Sequence, residues 1–142
     1  MNKFLIVLFF VAFSFLQSCK KENVLPQSDN VSITLGNPSN AIASISSPDN
    51  YLLVKHQYTL SYNNAKGEAN WVSWHLSPEW LGSIPRCDCF EPDDSLPSSF
   101  YHVATSDYTG SGFNRGHMCP SADRNASAID NAATFTMTNI IP

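Results

Sequence analysis

Residues 112–124 bring one histidine, two arginines and several small or polar residues into a short segment. The segment reads Gly-Phe-Asn-Arg-Gly-His-Met-Cys-Pro-Ser-Ala-Asp-Arg. A neutral imidazole is a good general base near pH 7, because its ordinary pKa is about 6.5. We therefore expect His117 to activate a water molecule, and Gly116 beside it to let a phosphate approach the backbone. The alternative is a histidine held in the core by one hydrogen bond.

Arg86 is the first candidate for stabilising negative charge at such a site. The planar guanidinium carries a fork of donors that fits a phosphate or its pentacoordinate transition state. Donors of this kind stabilise negative charge that develops on oxygen atoms in a transition state. The alternative for Arg86 is a surface ion pair with Asp88 or Glu91.

Two further arginines flank His117. We expect Arg115 to point to the face opposite His117, so its role is open between phosphate binding and fixing the loop. Asn114 beside it is a candidate for substrate binding. Arg124 is assigned mainly to structure, with Asp123 as its partner.

Four cysteines are present, at positions 19, 87, 89 and 119. Cys87 and Cys89 stand too close in sequence to bridge each other comfortably, so we expect one of them to pair with Cys119. The alternative is a metal site built from Cys-x-Cys and the third thiol. Which cysteines pair is not decided by the sequence.

Three ordered blocks of the sequence resemble one protein family. Residues 112–124 are similar to the Asp-Arg-Gly-His signature, with its Pro-x-Ala-Asp-Arg continuation, of the DNA/RNA non-specific endonucleases (Serratia nuclease-like, ββα-metal type). Residues 62–63 with 70–76 resemble the N-terminal hairpin of that family. Residues 134–142 resemble the strand that leads into its metal-binding helix.

The resemblance implies a metal-dependent endonuclease that hydrolyses DNA and RNA without sequence specificity. His117 would be the general base, and Arg86 and Arg115 would stabilise the developing charge. Arg115 and Asn114 would contact the substrate, although the family usually has Asp where this chain has Asn114. The cofactor would be Mg²⁺ or another divalent cation. Its protein ligand is expected beyond residue 142, so the resemblance assigns no metal ligand within this chain.

The pattern of apolar residues predicts an α+β fold with an antiparallel sheet. The resemblance implies a ββα-metal (His-Me finger) motif that is incomplete at the C-terminus. Alternation predicts a half-buried strand over 52–62 and a hairpin with 71–76 across the turn at 63–68. A short helix is expected from Ser77, with Pro78 at its first position. Strands are expected over 113–120 and 135–141, with helical turns within 122–133, and Asn139 as a strand-end or turn residue.

The N-terminal residues predict an exported, membrane-anchored lipoprotein, periplasmic or at the cell surface. A basic residue followed by an apolar run from Phe4 to Phe15 is typical of a signal peptide. Leu-Gln-Ser-Cys then resembles a bacterial lipobox, which makes Cys19 the lipidated residue and the membrane a partner. We expect a signal peptide over 1–18, the lipidated cysteine and a tether over 19–33, and a partial nuclease domain over 34–142.

The overall charge leaves other functions open. The formal net charge is −4, whereas a nucleic-acid binder usually carries a basic face. The chain is therefore either a nuclease that uses a few placed cations, or an inactive surface lipoprotein that keeps the nuclease scaffold to bind nucleic acid. A phosphodiesterase for nucleotides or phospholipid headgroups is a third alternative. His56, His75, His102 and the tryptophan-rich hairpin are expected to serve packing.

Overall fold

The structure is a computed structural model that describes residues 31–142. The expected signal peptide, Cys19 and most of the tether lie outside the described residues. Within 31–142 the chain forms two small antiparallel sheets, one α-helix and several 3-10 turns, which confirms the α+β class. Across these residues no helix is long and apolar enough to span a membrane.

The strand expected over 52–62 is two strands. β1 (Tyr51–Val54) and β2 (Thr59–Asn63) pair antiparallel around a turn that Lys55 N closes by donating to Tyr58 O at 2.9 Å. The continuous-strand prediction was wrong because the turn carries polar side chains with partners elsewhere in the fold, including Lys55 with Asp93. In β1, Leu53 is buried and Val54 is exposed.

The second hairpin is confirmed, with β3 (Glu68–Ser73) pairing antiparallel to β2. Gly67 closes its turn with a φ of +71°, a left-handed conformation that glycine adopts without steric cost. The sheet order is β1-β2-β3. Its buried face forms the hydrophobic core together with residues that come later in the chain. This core includes Tyr58, Leu60, Tyr62, Leu96, Phe100 and Cys119.

A second sheet lies nearer the end of the described chain. β4 (Gly116–His117) pairs antiparallel with β5 (Ile140–Ile141), so the strands expected over 113–120 and 135–141 are real but much shorter. β4 ends early and β5 begins late at the Asn139 side chain, because its buried amide accepts from Cys119 N at 2.8 Å and donates to Cys119 O at 2.9 Å in place of further strand pairing. Asn139 is therefore a structural residue that fixes the exit of β4.

The helical turns expected within 122–133 are confirmed. A 3-10 turn at Ser121–Arg124 is followed by α1 (Ala128–Ala133), whose N-cap Ser127 accepts from Asp130 N at 3.1 Å. This capping satisfies one of the free N–H groups at the helix start.

Arg124 serves structure, as expected, but with other partners. Its guanidinium is fully buried, donates to the carbonyl oxygens of Gln57, His75 and Asp123, and lies 4.2 Å from the centre of the Trp80 ring. The carboxylate of Asp123 instead accepts from the indole of Trp74 at 2.9 Å. Arg124 thus joins the β1–β2 turn and the residues that follow β3, which lie at the same end of the first sheet, to the segment that precedes α1.

Candidate active site

His117 lies on β4, opposite Ile140, with its ring inserted between two phenylalanines. The ring centroids are 4.6 Å from Phe135 and 5.6 Å from Phe90, both in edge-to-face geometry. The adjacent residue continues the pairing, since Met118 N donates to Asn139 O at 2.9 Å. The Nε2 atom is buried and has no hydrogen-bond partner among residues 31–142. The ring is therefore oriented by packing and by its backbone.

Burial lowers the pKa of His117 below its ordinary value, and the nearby positive charge of Arg86 lowers it further. Asp88 acts in the opposite direction but does not reverse the shift. Both dominant causes disfavour the imidazolium form. The ring is consequently neutral at neutral pH, which is the form that can accept a proton.

Arg86 lies over the same aromatic pair. Its guanidinium carbon is 4.8 Å from the Phe135 centroid and 5.9 Å from the Phe90 centroid, distances at which cation–π attraction operates. Its Nε donates to the Asp88 carboxylate at 2.5 Å. The ion pair raised as an alternative therefore exists, yet the guanidinium also stands close enough to His117 to affect its pKa.

Arg115 also contacts Phe90, with its guanidinium carbon 4.0 Å from the ring centroid. The expectation that it points away from His117 was wrong. Residues two apart in an extended chain share a face, and both side chains contact Phe90. The structure thus brings His117, Arg86 and Arg115 together around one phenylalanine.

An open cleft of about 720 Å³ lies in front of these arginines. Asn114, Arg115, Arg86, Asp88 and Phe90 all line it. Sequence reasoning missed the remaining lining residues, which are Thr105, Ser106, Tyr108, Thr109 and Phe113. Three of these, Thr105, Ser106 and Tyr108, belong to a 3-10 turn at Thr105–Tyr108. The cluster of Thr, Ser and Tyr before Gly110 was the available signal.

Gly116 has a different role from the one expected. A Cβ at this position would lie 3.3 Å from the carbonyl oxygen of Ile141, tighter than an ordinary contact. The glycine therefore permits close pairing of β4 with β5. The phosphate-approach interpretation has no support from this geometry.

The cysteine pairing differs from the expectation. Cys87 and Cys89 form a disulfide with each other, and Cys119 is a free, buried thiol. The short bridge occurs together with a φ of +50° at the intervening Asp88, which turns the chain back on itself. Cys119 is out of reach because it lies in the core, where burial raises the pKa of its thiol to about 12.

The loop that carries Arg86 is anchored beyond Phe90 by a buried ion pair. The Asp93 carboxylate lies 2.8 Å from Lys55 Nζ and also accepts from Ser95 and Thr138. Burial opposes the charged form of Asp93, but Lys55 and the hydrogen bonds outweigh it and hold the pKa below its ordinary value. Because these partners come from the β1–β2 turn and from the segment before β5, the ion pair ties the loop to both sheets.

The other histidines take no part in this cluster. The His56 ring is 5.1 Å from Trp80, and His102 Nε2 is 3.2 Å from Pro97 O. Throughout 31–142, no group of three or more His, Cys, Asp or Glu side chains could hold a metal ion. The described residues therefore bring together a histidine and two arginines, and they contain no such set of metal ligands.

Comparison with known proteins supports one family. The model of the family described as "DNA/RNA non-specific endonuclease" matches residues 36–142. A protein named "Nuclease" from Nostoc sp. is 55% identical over 118 residues, which cover 83% of this chain and 43% of that relative. Mouse "Nuclease EXOG, mitochondrial" is 41% identical over 87 residues, covering 60% of this chain and 23% of that protein.

A solved structure gives the same result at the level of the fold. The crystal structure of an EndoG/EndoGI complex matches with a TM-score of 0.58 and 28% identity. The match covers 64% of this chain and 38% of the solved chain. This chain thus spans less than half the length of the curated relatives and of the solved structure that it matches.

Proposed function

Since the chain belongs to the DNA/RNA non-specific endonuclease family, we propose that it carries the general base and the arginines of a nuclease that hydrolyses phosphodiester bonds in both DNA and RNA. The observation that carries the proposal is the cluster around Phe90. There a neutral, half-buried His117 packs against Phe90, and the two arginines that contact the same ring line an open cleft.

His117 is proposed to take a proton from the attacking water. Its Nε2 is enclosed, which leaves Nδ1 as the ring nitrogen available to a water molecule in the substrate complex. The depressed pKa of His117 keeps this nitrogen unprotonated at neutral pH. The proton passes from water to the imidazole as the new oxygen–phosphorus bond forms, which is general-base catalysis.

Arg86 and Arg115 are proposed to bind the non-bridging oxygens of the phosphate under attack. Both side chains are exposed, both line the cleft and both lie near the Phe90 ring. Charge accumulates on those oxygens in the transition state, and preorganised guanidiniums lower its energy. We propose that the chain breaks the bond to the 3′ oxygen, which leaves a 5′-phosphate.

Lack of sequence preference follows from the composition of the cleft. Its walls present guanidiniums, hydroxyls of the 105–109 turn and the amide of Asn114. These groups suit phosphates and sugars, which carry no sequence information. We expect DNA and RNA to be cut at comparable rates for the same reason.

A divalent cation is implied by the family, and we propose Mg²⁺. The described residues offer no group of three or more His, Cys, Asp or Glu side chains for it, so the chemistry assigned here to this chain does not pass through the metal. When bound, a cation of this kind would neutralise charge on the phosphate and help the leaving oxygen.

We further propose that the protein is exported and anchored through a lipid on Cys19, on the strength of the apolar run followed by Leu-Gln-Ser-Cys. Its substrate would then be nucleic acid outside the cytoplasm. Metabolic labelling with a radioactive fatty acid, compared between the natural protein and Cys19→Ser, tests the anchor. Equal labelling of the two proteins would exclude a lipid anchor on Cys19.

The nuclease proposal is tested with the complete product of the gene on a substrate panel. Plasmid DNA, structured RNA and bis(4-nitrophenyl) phosphate are incubated with Mg²⁺ or with EDTA. We expect cleavage of DNA and RNA in Mg²⁺ only. Cleavage of the small diester alone would favour the nucleotide or headgroup phosphodiesterase.

The inactive-scaffold alternative is favoured by one observation, the Asn at position 114 where the family usually has Asp. It predicts that DNA is retained on the purified protein but not cut under any divalent cation. The variant Asn114→Asp, which introduces the carboxylate usual in the family, distinguishes a nuclease from an inactive scaffold that binds nucleic acid. If the natural protein is inactive and Asn114→Asp cleaves DNA, the natural protein lacks only the carboxylate at position 114. If Asn114→Asp is also inactive, the protein is a nucleic-acid-binding protein.

A further inference from the structure

We propose that the Cys87–Cys89 disulfide holds Asp88 against Arg86 and thereby positions the guanidinium, so that reduction of this disulfide by a thiol lowers nuclease activity. Asp88 is a positioning residue in this scheme, and the disulfide is its redox-sensitive support. The inference rests on the proposed function, because it concerns an arginine of the same site.

The loop that carries Arg86 is attached to other elements at two points, and the residues between those points are exposed. At one end Cys87 N donates to the Asn131 side chain at 3.2 Å, which attaches it to α1. At the other end Phe90 packs on Phe135, and Met137 N donates to Glu91 O at 2.9 Å. Between these anchors Asp88 and Cys89 are exposed. The disulfide is the cross-link that constrains them.

Asp88 depends on that cross-link for its conformation. Its φ of +50° is left-handed, which is costly for residues other than glycine, although Asp tolerates it better than most. The disulfide brings the α-carbons on either side of Asp88 to 5.1 Å. Once the bridge is open, the backbone is free to return to an extended conformation, and the carboxylate then moves away from Arg86.

The ion pair alone is too exposed to fix the arginine. The side chains of Arg86 and Asp88 are 48% and 67% exposed, and exposed pairs contribute little because water and salt screen them. The guanidinium contacts two groups: its central carbon lies 4.8 Å from the Phe135 ring centre, and its Nε lies 2.5 Å from the Asp88 carboxylate. If the contact with Asp88 is lost, the contact with Phe135 remains. A ring contact does not set the direction in which the guanidinium N–H groups point.

The chemistry needs only a dithiol reductant. A thiolate attacks one sulfur of the bridge, a second thiolate of the same reductant resolves the mixed disulfide, and Cys87 and Cys89 each leave as a thiol. Two electrons and two protons pass to the protein, and the reductant becomes a cyclic disulfide. Both cysteines are exposed, so the reductant has access, whereas the free Cys119 is buried and stands apart.

The test compares oxidised protein with protein reduced by dithiothreitol, using the complete gene product and Mg²⁺. We expect reduction to lower kcat for DNA about tenfold with KM within about threefold, since a misplacement of about 1 Å at a positioning group costs up to a hundredfold. The matched control is Cys87→Ser with Cys89→Ser, which should be as slow as the reduced protein and unaffected by dithiothreitol. Equal rates before and after reduction overturn the proposal, as does a double variant that still responds.

Asp88 variants separate positioning from stability. Asp88→Asn should reproduce the loss in kcat, and Asp88→Glu should recover part of it, with thermal melting unchanged in both. Melting that falls in parallel with kcat would show a merely structural role.

A second readout does not need activity. The Arg86 Nε–H resonance, assigned with Arg86→Lys, should be displaced in the oxidised protein by its bond to Asp88 and should join the exposed arginine signals after reduction. An unmoved resonance overturns the proposal. Absence of cleavage in both redox states, with a resonance that moves, would instead contradict the proposed function alone.

Discussion

At the scale of single residues, the site depends on the electrostatic environment of one imidazole. Burial and Arg86 lower the pKa of His117, so the active, neutral form persists to more acidic pH than for a free histidine. The acid limb of kcat/KM should therefore have its midpoint below about 6.5. A midpoint above that value would show that another group controls the limb.

The same environment gives a directional prediction for Arg86→Gln. Removing a positive charge makes protonation of His117 easier, so its pKa rises and the acid limb moves to higher pH. Arg115→Gln is the matched control, because Arg86 and Asp88 are the charges that affect His117. The two pH profiles, with a parallel NMR titration of the His117 ring, provide the measurement. A limb that Arg115→Gln moves as far as Arg86→Gln would contradict this account.

Elements decide which residues meet, and here the sequence was only partly informative. The motif at 112–124 and the hairpin of β2 and β3 were predictable because their signals are local. The division of residues 52–62 into β1 and β2 could not be predicted, because it depends on an ion pair between Lys55 and Asp93, which is distant in sequence. The same holds for Phe90 and Phe135, which position His117 but look like ordinary apolar residues in the sequence.

The buried ion pair between Lys55 and Asp93 gives the prediction at the level of elements. Lys55→Met should lower the free energy of unfolding by about 3–5 kcal/mol, because it leaves a buried carboxylate without its cation. Lys66→Met, at the exposed turn between β2 and β3, should change it by less than about 0.5 kcal/mol. Urea unfolding of both variants measures the difference. Equal midpoints would show that the ion pair does not hold the loop.

Lowering the pH should remove the stability that the ion pair between Lys55 and Asp93 contributes. The folded-state pKa of Asp93 lies below its ordinary value of 3.8, so the stability it provides is fully present above pH 3.8 and is lost as the pH falls through the folded value. Asp93→Asn should be less stable than the natural protein at neutral pH. The gap between the two should close as the pH falls through that window.

For the whole molecule, the distribution of charge matters more than its sum. The net charge is −4, which alone argues against binding of nucleic acid. Among the described cations, Lys55 forms a buried ion pair with Asp93 and Arg124 is buried, whereas Arg115 and Arg86, the latter paired with Asp88, both line the cleft. An acidic protein can therefore present positive charge at one place.

This distribution predicts the salt dependence of binding. Arg115→Gln should reduce the slope of log Kd against log salt concentration by about one for duplex DNA, as expected when one phosphate contact is lost. Lys66→Gln, whose side chain does not line this cleft, should leave the slope unchanged. Fluorescence anisotropy in EDTA measures binding without cleavage. Identical slopes for the natural protein and Arg115→Gln would place the DNA elsewhere.

The central claim is that His117 is the general base, and it is tested most directly by His117→Ala with and without added imidazole. The assay follows cleavage of plasmid DNA by the complete gene product in Mg²⁺. We predict a loss of about 10²–10⁴-fold in kcat, with partial recovery in imidazole that follows the fraction of the neutral base as the pH is changed. A His117→Ala protein that cuts DNA within about threefold of the natural rate, well short of that general-base contribution, would contradict the account.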